Sequence, residues 1–263
     1  MNLEKHCFHK EKSYRLYNGD CLEIMRKIPS NTFDMVFADP PYGLSNGGIS
    51  ISNGKVVSVN KGDWDKSRGV DGDYEFHHSW IKEVNRILKP HGTLWVSGTY
   101  HSIYACGHAL KKNGYKILND IAWFKPNAPF NASCRYFTAS HESLIWAAKN
   151  NGSKHYFDYL KMKEGAWPED PLKNPMKQMR SVWSIPYASA AEKKYGKHPT
   201  QKPLKLLERI IMASTKPGDL VLDPFTGSST TGVAALKHGR RFIGIDSLEE
   251  YLNLSKSRLS ELV

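Results

Sequence analysis

The chain has 263 residues and is 40% hydrophobic, which fits one large α/β domain with an insertion and is enough to bury a core. No apolar run approaches the ~20 residues of a membrane span, and no apolar stretch of a secretory signal follows the charged N-terminus, so we expect a cytoplasmic protein. The formal charge of +11 favours a polyanionic partner, and the four cysteines lack the spacing of a zinc site or a disulfide framework.

The first predicted unit is a strand followed by a helix. Residues 13–17 alternate in strand fashion and run into the turn signal Asn18-Gly-Asp-Cys21. Apolar residues at helical spacing follow, and Pro29 ends them. An acid and a backbone turn at a strand end suit recognition of an adenine ring, and a plain strand-to-helix loop is the alternative for Asp20 and Cys21.

The next element, Phe33-Asp-Met-Val-Phe-Ala-Asp-Pro-Pro-Tyr42, is an apolar run that ends in an acid, two prolines and an aromatic residue. It predicts a buried strand that stops at a rigid turn. Because prolines have no backbone N–H and a fixed φ, the Asp39 carboxylate and nearby carbonyls are held as acceptors beside the Tyr42 ring. Such a cage suits a planar substrate that carries an amino group, although an ordinary Asp-Pro-Pro turn has the same sequence.

Residues 43–73 are rich in Gly, Ser and Asn, and a segment this long with little predicted structure is typically a binding loop or lid. Its position directly after the turn favours a loop that orders over substrate, with Trp64 between Asp63 and Asp65 as its anchor. A disordered surface insertion is the alternative.

Two helix-then-strand units and a hairpin come next. Helical spacing from Ser79 ends at Lys89-Pro90 and precedes a strand at residues 93–97. A helix at residues 101–112 then precedes a strand at residues 115–124, and residues 142–148 form its predicted hairpin partner. Basic and amide groups between these two strands can hold phosphates, or the segment is an ordinary solvated loop.

The C-terminal part carries two further motifs. His198-Pro-Thr-Gln-Lys-Pro203 begins a helix with Pro203 in its first turn. Val221-Leu-Asp-Pro-Phe-Thr-Gly-Ser-Ser-Thr-Thr-Gly232 follows an apolar strand and opens another helix, and the next strand ends in Asp246. A strand-end acid of this kind binds ribose hydroxyls in Rossmann-type sites, but the dehydrogenase fingerprint G-x-G-x-x-G is absent from the sequence.

These segments resemble the S-adenosylmethionine-dependent amino-methyltransferases of DNA, in the permuted order in which D-P-P-Y precedes the cofactor loop. The resemblance covers nearly the whole chain, including Asp63-Trp-Asp65 and Trp123-Phe-Lys-Pro126. Asp rather than Ser before Pro-Pro-Tyr resembles the adenine-N6 enzymes more than the cytosine-N4 enzymes. The chain is most similar to the second methylase of GATC-type restriction systems, the one associated with single-stranded DNA.

The fold that we expect is a doubly wound, mostly parallel Rossmann-like α/β sheet with an antiparallel hairpin strand. The resemblance implies a catalytic part at residues 1–149, a target-recognition insertion at 150–196 and a cofactor-binding part at 197–263. Ser229 stands where the family commonly has a second loop glycine, a mild departure.

The resemblance also assigns site residues. The catalytic candidates are Asp39, Pro40, Pro41 and Tyr42. In the cofactor site, Asp223 is expected at the methionine amino group of S-adenosylmethionine and Asp246 at the ribose. The other cofactor-binding candidates are Asp20, Cys21, Asp39, Gln201, Lys202, Pro224, Phe225, Thr226, Gly227, Ser228, Ser229 and Thr230. The DNA-binding candidates are Lys125, Asn127 and Arg135, and no metal is expected.

The expected reaction is methyl transfer to N6 of an adenine that is flipped out of DNA, without a covalent enzyme intermediate. Cytosine N4, RNA and a protein amide are alternative substrates, because the acceptors at Asp39 and the Tyr42 ring recognise only an amino group on a planar system. A nucleic-acid-binding relative that has lost catalysis is a further alternative. The sequence leaves the oligomeric state open, a homodimer included.

Overall fold

The structure is a computed structural model and describes residues 3–43, 45, 49–52, 55–58, 62, 65–128 and 134–263. The described strands are β1 (Cys7–Lys10), β2 (Tyr14–Asn18), β3 (Phe33–Ala38), β4 (Ile49–Ser52), β5 (Lys55–Ser58), β6 (Leu88–Gly98), β7 (Lys116–Phe124), β8 (His141–Ala148), β9 (Val182–Ser184), β10 (Leu220–Asp223) and β11 (Arg241–Asp246). The described helices are α1 (Cys21–Arg26), α2 (Gly69–Ile87), α3 (Ile103–Lys112), α4 (Tyr159–Glu164), α5 (Leu204–Ser214), α6 (Thr230–Lys237) and α7 (Glu249–Leu259).

Among the described strands, nine form one sheet in the order β1-β2-β11-β10-β3-β6-β8-β7-β9, while β4 and β5 pair as a separate hairpin. The central strands from β2 to β6 in this order run parallel, and β8 is antiparallel to both of its neighbours. The predicted fold class, a mostly parallel α/β sheet with an antiparallel hairpin strand, is confirmed.

Two hydrophobic cores cover the two faces of the sheet. Apolar residues of α1, α2 and α3 pack on one face, and those of α5, α6 and α7 pack on the other. Strand β3 contributes side chains to both cores, because Val36 and Ala38 face the first helix layer while Met35 and Phe37 face the second. Its complete burial explains why its sequence is continuously apolar rather than alternating.

The chain reverses its winding between β3 and β10. From β3 it crosses through α2 to β6 on one side, whereas from β10 it crosses through α6 to β11 on the other side. Ligands of open α/β sheets bind at such a switch point, outside the carboxyl ends of the strands. Strand β3 ends just before Asp39, β10 ends at Asp223 and β11 ends at Asp246, so the topology brings these three acids to one edge.

The structure differs from the sequence prediction in residues 43–73. Strands β4 and β5 lie inside the segment for which little structure was expected, and α2 begins at Gly69 rather than near Ser79. The first turns of α2 carry no apolar period, and Val70 is 89% exposed, so sequence periodicity gave no signal there. Asp63 and Trp64, the predicted anchor of the loop, lie outside the described residues.

The boundaries predicted for a target-recognition insertion at residues 150–196 stay a prediction. This segment contains α4 and β9, and β9 adds to the edge of the main sheet beside β7. The fully buried Arg209 of α5 pairs with Asp170 at 2.6 Å and Glu169 at 2.9 Å, which ties the segment to the helix layer. No helix in the described part of the chain has the length and hydropathy to cross a membrane.

Candidate active site

A cleft opens at the carboxyl ends of β2, β3, β10 and β11, the edge of an open α/β sheet at which ligands bind. The predicted residues that line it are Asp20, Cys21, Asp39, Pro40, Pro41, Tyr42, Pro224, Phe225, Gly227 and Asp246. A smaller recess shares several lining residues with it, and its lining includes the predicted residues Gln201, Lys202, Asp223, Thr226, Ser228 and Thr230. The fold therefore gathers segments from both ends of the chain around one space.

The turn after β3 is held by Asp65. Its Oδ1 accepts the backbone N–H groups of Tyr42 at 2.8 Å and Gly43 at 3.1 Å, and its Oδ2 accepts the Ser45 hydroxyl at 3.0 Å. Because Pro40 and Pro41 have no N–H groups, Tyr42 carries the first donor after them, and a buried carboxylate satisfies it. The Asp-Pro-Pro-Tyr turn is thus held by the fixed φ angles of its two prolines and by the Asp65 hydrogen bonds at Tyr42 and Gly43.

The side chains of the turn belong to a buried polar network. The Tyr42 hydroxyl donates to Asp39 Oδ1, while Lys202 Nζ lies 2.6 Å from Asp39 Oδ2 and 3.0 Å from the Tyr42 hydroxyl. Glu142 Oε2 lies 3.3 Å from the same hydroxyl. The orientation of the Asp39 carboxylate is therefore set by hydrogen bonds from two sides.

Asp223 is buried at the end of β10. Its two oxygens accept the Phe225 N–H at 3.0 Å and the Thr231 hydroxyl at 2.6 Å. The pKa of Asp223 is raised to about 7, mainly by burial and also by the charges of Asp39 and Asp246, and the hydrogen bonds from Thr231 and Phe225 oppose this rise. Three carboxylates around one cleft make the site favourable for a cation.

Asp246 shapes the loop after β10. It accepts the N–H groups of Gly227 and Leu248, both at 2.9 Å, and burial raises its pKa. Gly227 has φ +49°, a conformation that favours glycine, and a Cβ there would come within 2.9 Å of the His198 ring and would have to displace it. Ser229 also has a positive φ, 52°, and its hydroxyl lies 2.8 Å from that of Thr226, so it stabilises the loop from inside and lines neither space.

Asp20 and Cys21 form the wall at the end of β2. Asp20 caps α1 by accepting the Glu23 N–H at 2.9 Å, so the acid also has a local structural role. Burial raises the pKa of Cys21 to about 12, which keeps its thiol neutral and makes it an apolar wall rather than a nucleophile.

A family model described as DNA methylase matches residues 33–257. The chain is 51% identical over 258 residues to the Type II methyltransferase M2.DpnII of Streptococcus pneumoniae, covering 98% of this chain and 93% of that protein. It is 47% identical over 262 residues to the Type II methyltransferase M2.MboI of Moraxella bovis, covering all of this chain and 93% of that protein. The chain belongs to this DNA methylase family.

A solved structure of a relative agrees with this membership. The crystal structure of the M1.HpyAVI–SAM complex is 27% identical, covers 94% of this chain and 98% of its own, and superimposes with a TM-score of 0.66. The PvuII cytosine-N4-specific DNA methyltransferase, 23% identical with a TM-score of 0.72, covers 95% of this chain and 87% of its own and shares the fold. The protein is a DNA methyltransferase that uses S-adenosylmethionine.

The cleft of the methyltransferase fits this cofactor by charge and shape. S-adenosylmethionine carries a sulfonium and an ammonium cation, and the cleft and its recess present Asp39, Asp223 and Asp246. The glycine at position 227 lets the backbone approach a ligand closely, and the neutral Cys21 offers an apolar surface.

The predicted DNA-binding residues of the methyltransferase lie outside the cleft lining. Arg135 is exposed between β7 and β8, and Asn127 Oδ1 accepts the Tyr187 N–H at 3.2 Å. Lys125 instead is buried, with its ammonium 3.0 Å from Glu142 Oε1. A phosphate contact by Lys125 would require this ion pair to break.

Sequence reasoning missed several residues of the site. Glu142 and Ser97 contact the Tyr42 hydroxyl, and His198 covers the loop at Gly227. The acid at the start of the apolar strand β8 was a visible signal for Glu142. Its partners Tyr42 and Lys202 are remote in sequence, so only the fold reveals the pairing.

Proposed function

We propose that this methyltransferase modifies N6 of adenine in DNA, as the second methylase of a GATC-type restriction system, and that it accepts single-stranded DNA. The observation that carries the proposal is the Asp39 carboxylate, held rigidly beside Tyr42 at the mouth of the cofactor cleft. Asp rather than Ser at this position is typical of the adenine-N6 enzymes. The relatives of about half identity named Type II methyltransferases support the restriction system.

The residues of the turn receive the amino group. Asp39 and the Pro40 carbonyl accept its two N–H bonds, which leaves the nitrogen lone pair directed into the cleft. The ring of Tyr42 stacks on the base, since the residue lines the cleft. S-adenosylmethionine, when bound, supplies an electrophilic methyl group, and no covalent link to the protein is needed.

The remaining roles concern the cofactor and DNA. Asp246 accepts the ribose hydroxyls, Asp223 the methionine amino group, and Asp20 and Cys21 flank the adenine ring. The loop from Pro224 to Thr230 carries Gly227, and Gln201 extends the recess beside Asp223. Arg135, Asn127 and the insertion at residues 150–196 contact DNA. We expect the methylation to take place in the cytoplasm and to be carried out by a monomer or a homodimer.

Exposed aromatic residues favour a single strand as substrate. Tyr100 and Tyr104 follow the carboxyl end of β6, and Tyr136 and Phe137 lie between β7 and β8 at the same edge of the sheet. Tyr104 is 76% and Phe137 is 99% exposed. Aromatic surfaces with basic neighbours stack unpaired bases, and a single strand avoids the few kcal/mol that extruding a base from a duplex costs.

A substrate panel tests this proposal. One GATC oligonucleotide is offered alone, annealed to its complement, as RNA, and with its four bases permuted, and initial rates of methyl incorporation are compared. We expect the single-stranded GATC DNA to react at least as fast as the duplex and the permuted and RNA strands to react far more slowly. If only the duplex is methylated, the proposal that the enzyme accepts single-stranded DNA is wrong. If the permuted strand reacts at the same rate as the GATC strand, the proposed GATC specificity is wrong.

A further inference from the structure

A chain of alternating charges runs along the edge of the sheet behind the Asp-Pro-Pro-Tyr turn. Lys202 Nζ lies 2.6 Å from Asp39 Oδ2 and 3.5 Å from Glu142 Oε2, and Glu142 Oε1 lies 3.0 Å from Lys125 Nζ. The groups come from four places that the sheet order makes neighbours: the ends of β3 and β7, the start of β8 and the entry to α5. We call Asp39, Tyr42, Lys125, Glu142 and Lys202 the edge network.

The edge network is buried and balanced. The side chains of Lys202, Lys125 and Glu142 are 7%, 5% and 11% exposed, and two ammonium groups face two carboxylates. Burial lowers the pKa of Lys202, but the carboxylates of Asp39 and Glu142 outweigh this effect and raise it overall, so the amine stays protonated. A buried charge pair of this geometry holds its partners in one arrangement, because separating them exposes uncompensated charge.

The network contacts both side chains that the proposed function places against the target base. The Tyr42 hydroxyl contacts Asp39, Ser97, Glu142 and Lys202, so the plane of its ring is fixed from behind. The Asp39 carboxylate accepts from Lys202 on one oxygen and from Tyr42 on the other. Each carboxylate oxygen has a second lone pair, so Asp39 can still accept a substrate N–H while it is held in place.

The same contacts show that the Lys202 ammonium is already engaged by Asp39, Glu142 and Tyr42. In the sequence this lysine is a cofactor-binding candidate, for which the carboxylate of S-adenosylmethionine would be the ligand. In the structure its ammonium lies between two protein carboxylates, those of Asp39 and Glu142.

We propose that Lys202, supported by Glu142, is a positioning residue that holds the Asp39 carboxylate and the Tyr42 ring in the orientation that receives the target amino group. This inference rests on the proposed methylation of an amino group. The cofactor carboxylate is not its ligand.

The test separates methyl transfer from cofactor binding. In Lys202→Met the cation is lost while the chain length is kept. We expect the single-turnover rate at saturating cofactor and DNA to fall by about 10- to 100-fold, the scale for losing a group that orients a functional residue without touching the substrate. The dissociation constant for S-adenosylmethionine, measured by calorimetry without DNA, should change by less than about threefold. Lys202→Arg keeps the charge and should recover part of the rate.

Lys205→Met is the matched control, because Lys205 lies three residues further along the chain, in the first turn of α5, with a side chain that is 61% exposed. It should keep both the rate and the affinity. Melting curves check the folding of each variant. If Lys202→Met does not fold, Glu142→Gln takes its place, since the amide keeps the shape and removes one charge, and the same drop in rate with unchanged affinity is expected.

Three results would overturn the inference. The cofactor affinity of Lys202→Met could fall more than about tenfold, which would assign Lys202 to the cofactor. The rate of a folded variant could equal that of the wild type. The Arg variant could be as slow as the Met variant although both bind cofactor, which would leave the charge without a role. Absence of methylation by the wild type would instead contradict the proposed function, and the calorimetric comparison would still decide between cofactor binding and positioning.

Discussion

The Asp39 carboxylate lines the cofactor cleft and is held from behind by the Lys202 ammonium and the Tyr42 hydroxyl. We predict that Asp39→Ala lowers turnover by at least ~100-fold, because a preorganised acceptor for the amino group is lost. Calorimetry should show that the cofactor still binds, since Asp223 and Asp246 remain. Near-normal turnover of the Ala variant would contradict the role of Asp39 as an acceptor for the substrate amino group.

The proposed role of Asp223 at the methionine amino group makes cofactor binding depend on pH. Burial raises the pKa of Asp223 from 3.8 to about 7, so the folded protein holds a proton there that the unfolded chain releases. Ionisation of Asp223 therefore costs stability as pH rises from about 4 to about 7, and that cost stays constant above this window. The same ionisation creates the acceptor that a cationic amino group requires.

We predict that the affinity for S-adenosylmethionine rises with pH up to about 7 and then levels off, with a slope approaching tenfold per pH unit well below that value. Asp223→Asn should bind the cofactor more weakly at neutral pH and show a flatter profile. Its free energy of unfolding above pH 7 should not carry the cost of the buried charge. Calorimetry and denaturant unfolding at several pH values check both, and an unchanged affinity profile in the Asn variant would place the titrating group elsewhere.

At the scale of elements, the segment after the catalytic turn is coupled to it through Asp65. This buried carboxylate accepts the Tyr42 and Gly43 N–H groups and the Ser45 hydroxyl. We predict that Asp65→Ala destabilises the fold by about 2–4 kcal/mol, because three donors lose a charged acceptor, and that it also lowers turnover.

Asp71→Ala is the control for this prediction, since Asp71 is an exposed acid in the first turn of α2. Denaturant unfolding and initial rates compare the two variants. Equal stability of Asp65→Ala and the wild type would show that the turn holds itself without Asp65.

The elements differ in how far the sequence predicts them. The continuous apolar run of β3 and the strand-acid-loop pattern around β10 place Asp39 and Asp223 correctly at strand ends, because buried strands leave a strong local signal. The hairpin of β4 and β5 was missed, although the Asn53-Gly54 dipeptide in the sequence is a strong hairpin signal. The start of α2 was missed because apolar residues do not recur at helical spacing in its exposed first turns.

The site shows the same limit. Local motifs predict which residues face the cleft, and most of the predicted cofactor residues do line it or its recess. The pairing of Lys202 with Asp39 and of Lys125 with Glu142 is not visible in the sequence, because charge pairs between distant segments depend on the order of strands in the sheet. A lysine in a motif can equally face a ligand or a buried carboxylate.

At the scale of the whole molecule, the charge of +11 predicts how the protein holds DNA. We proposed that a single strand binds through its phosphates and by stacking on exposed aromatic residues. The logarithm of affinity should then fall linearly with the logarithm of salt concentration, by about 0.7 per phosphate neutralised. Fluorescence anisotropy of a labelled single-stranded oligonucleotide at several salt concentrations measures the slope. Salt-independent binding would show that the protein does not bind the DNA through its phosphates.

The most direct test of the central claim is the identity of the methylated nucleoside. Wild-type protein is incubated with S-adenosylmethionine and a single-stranded oligonucleotide that contains one GATC site, and the DNA is digested to nucleosides and analysed by mass spectrometry. We predict N6-methyladenine as the product, with the methyl group at the adenine of that site. N4-methylcytosine, or no methylated nucleoside from a folded protein that binds the cofactor, would contradict the account.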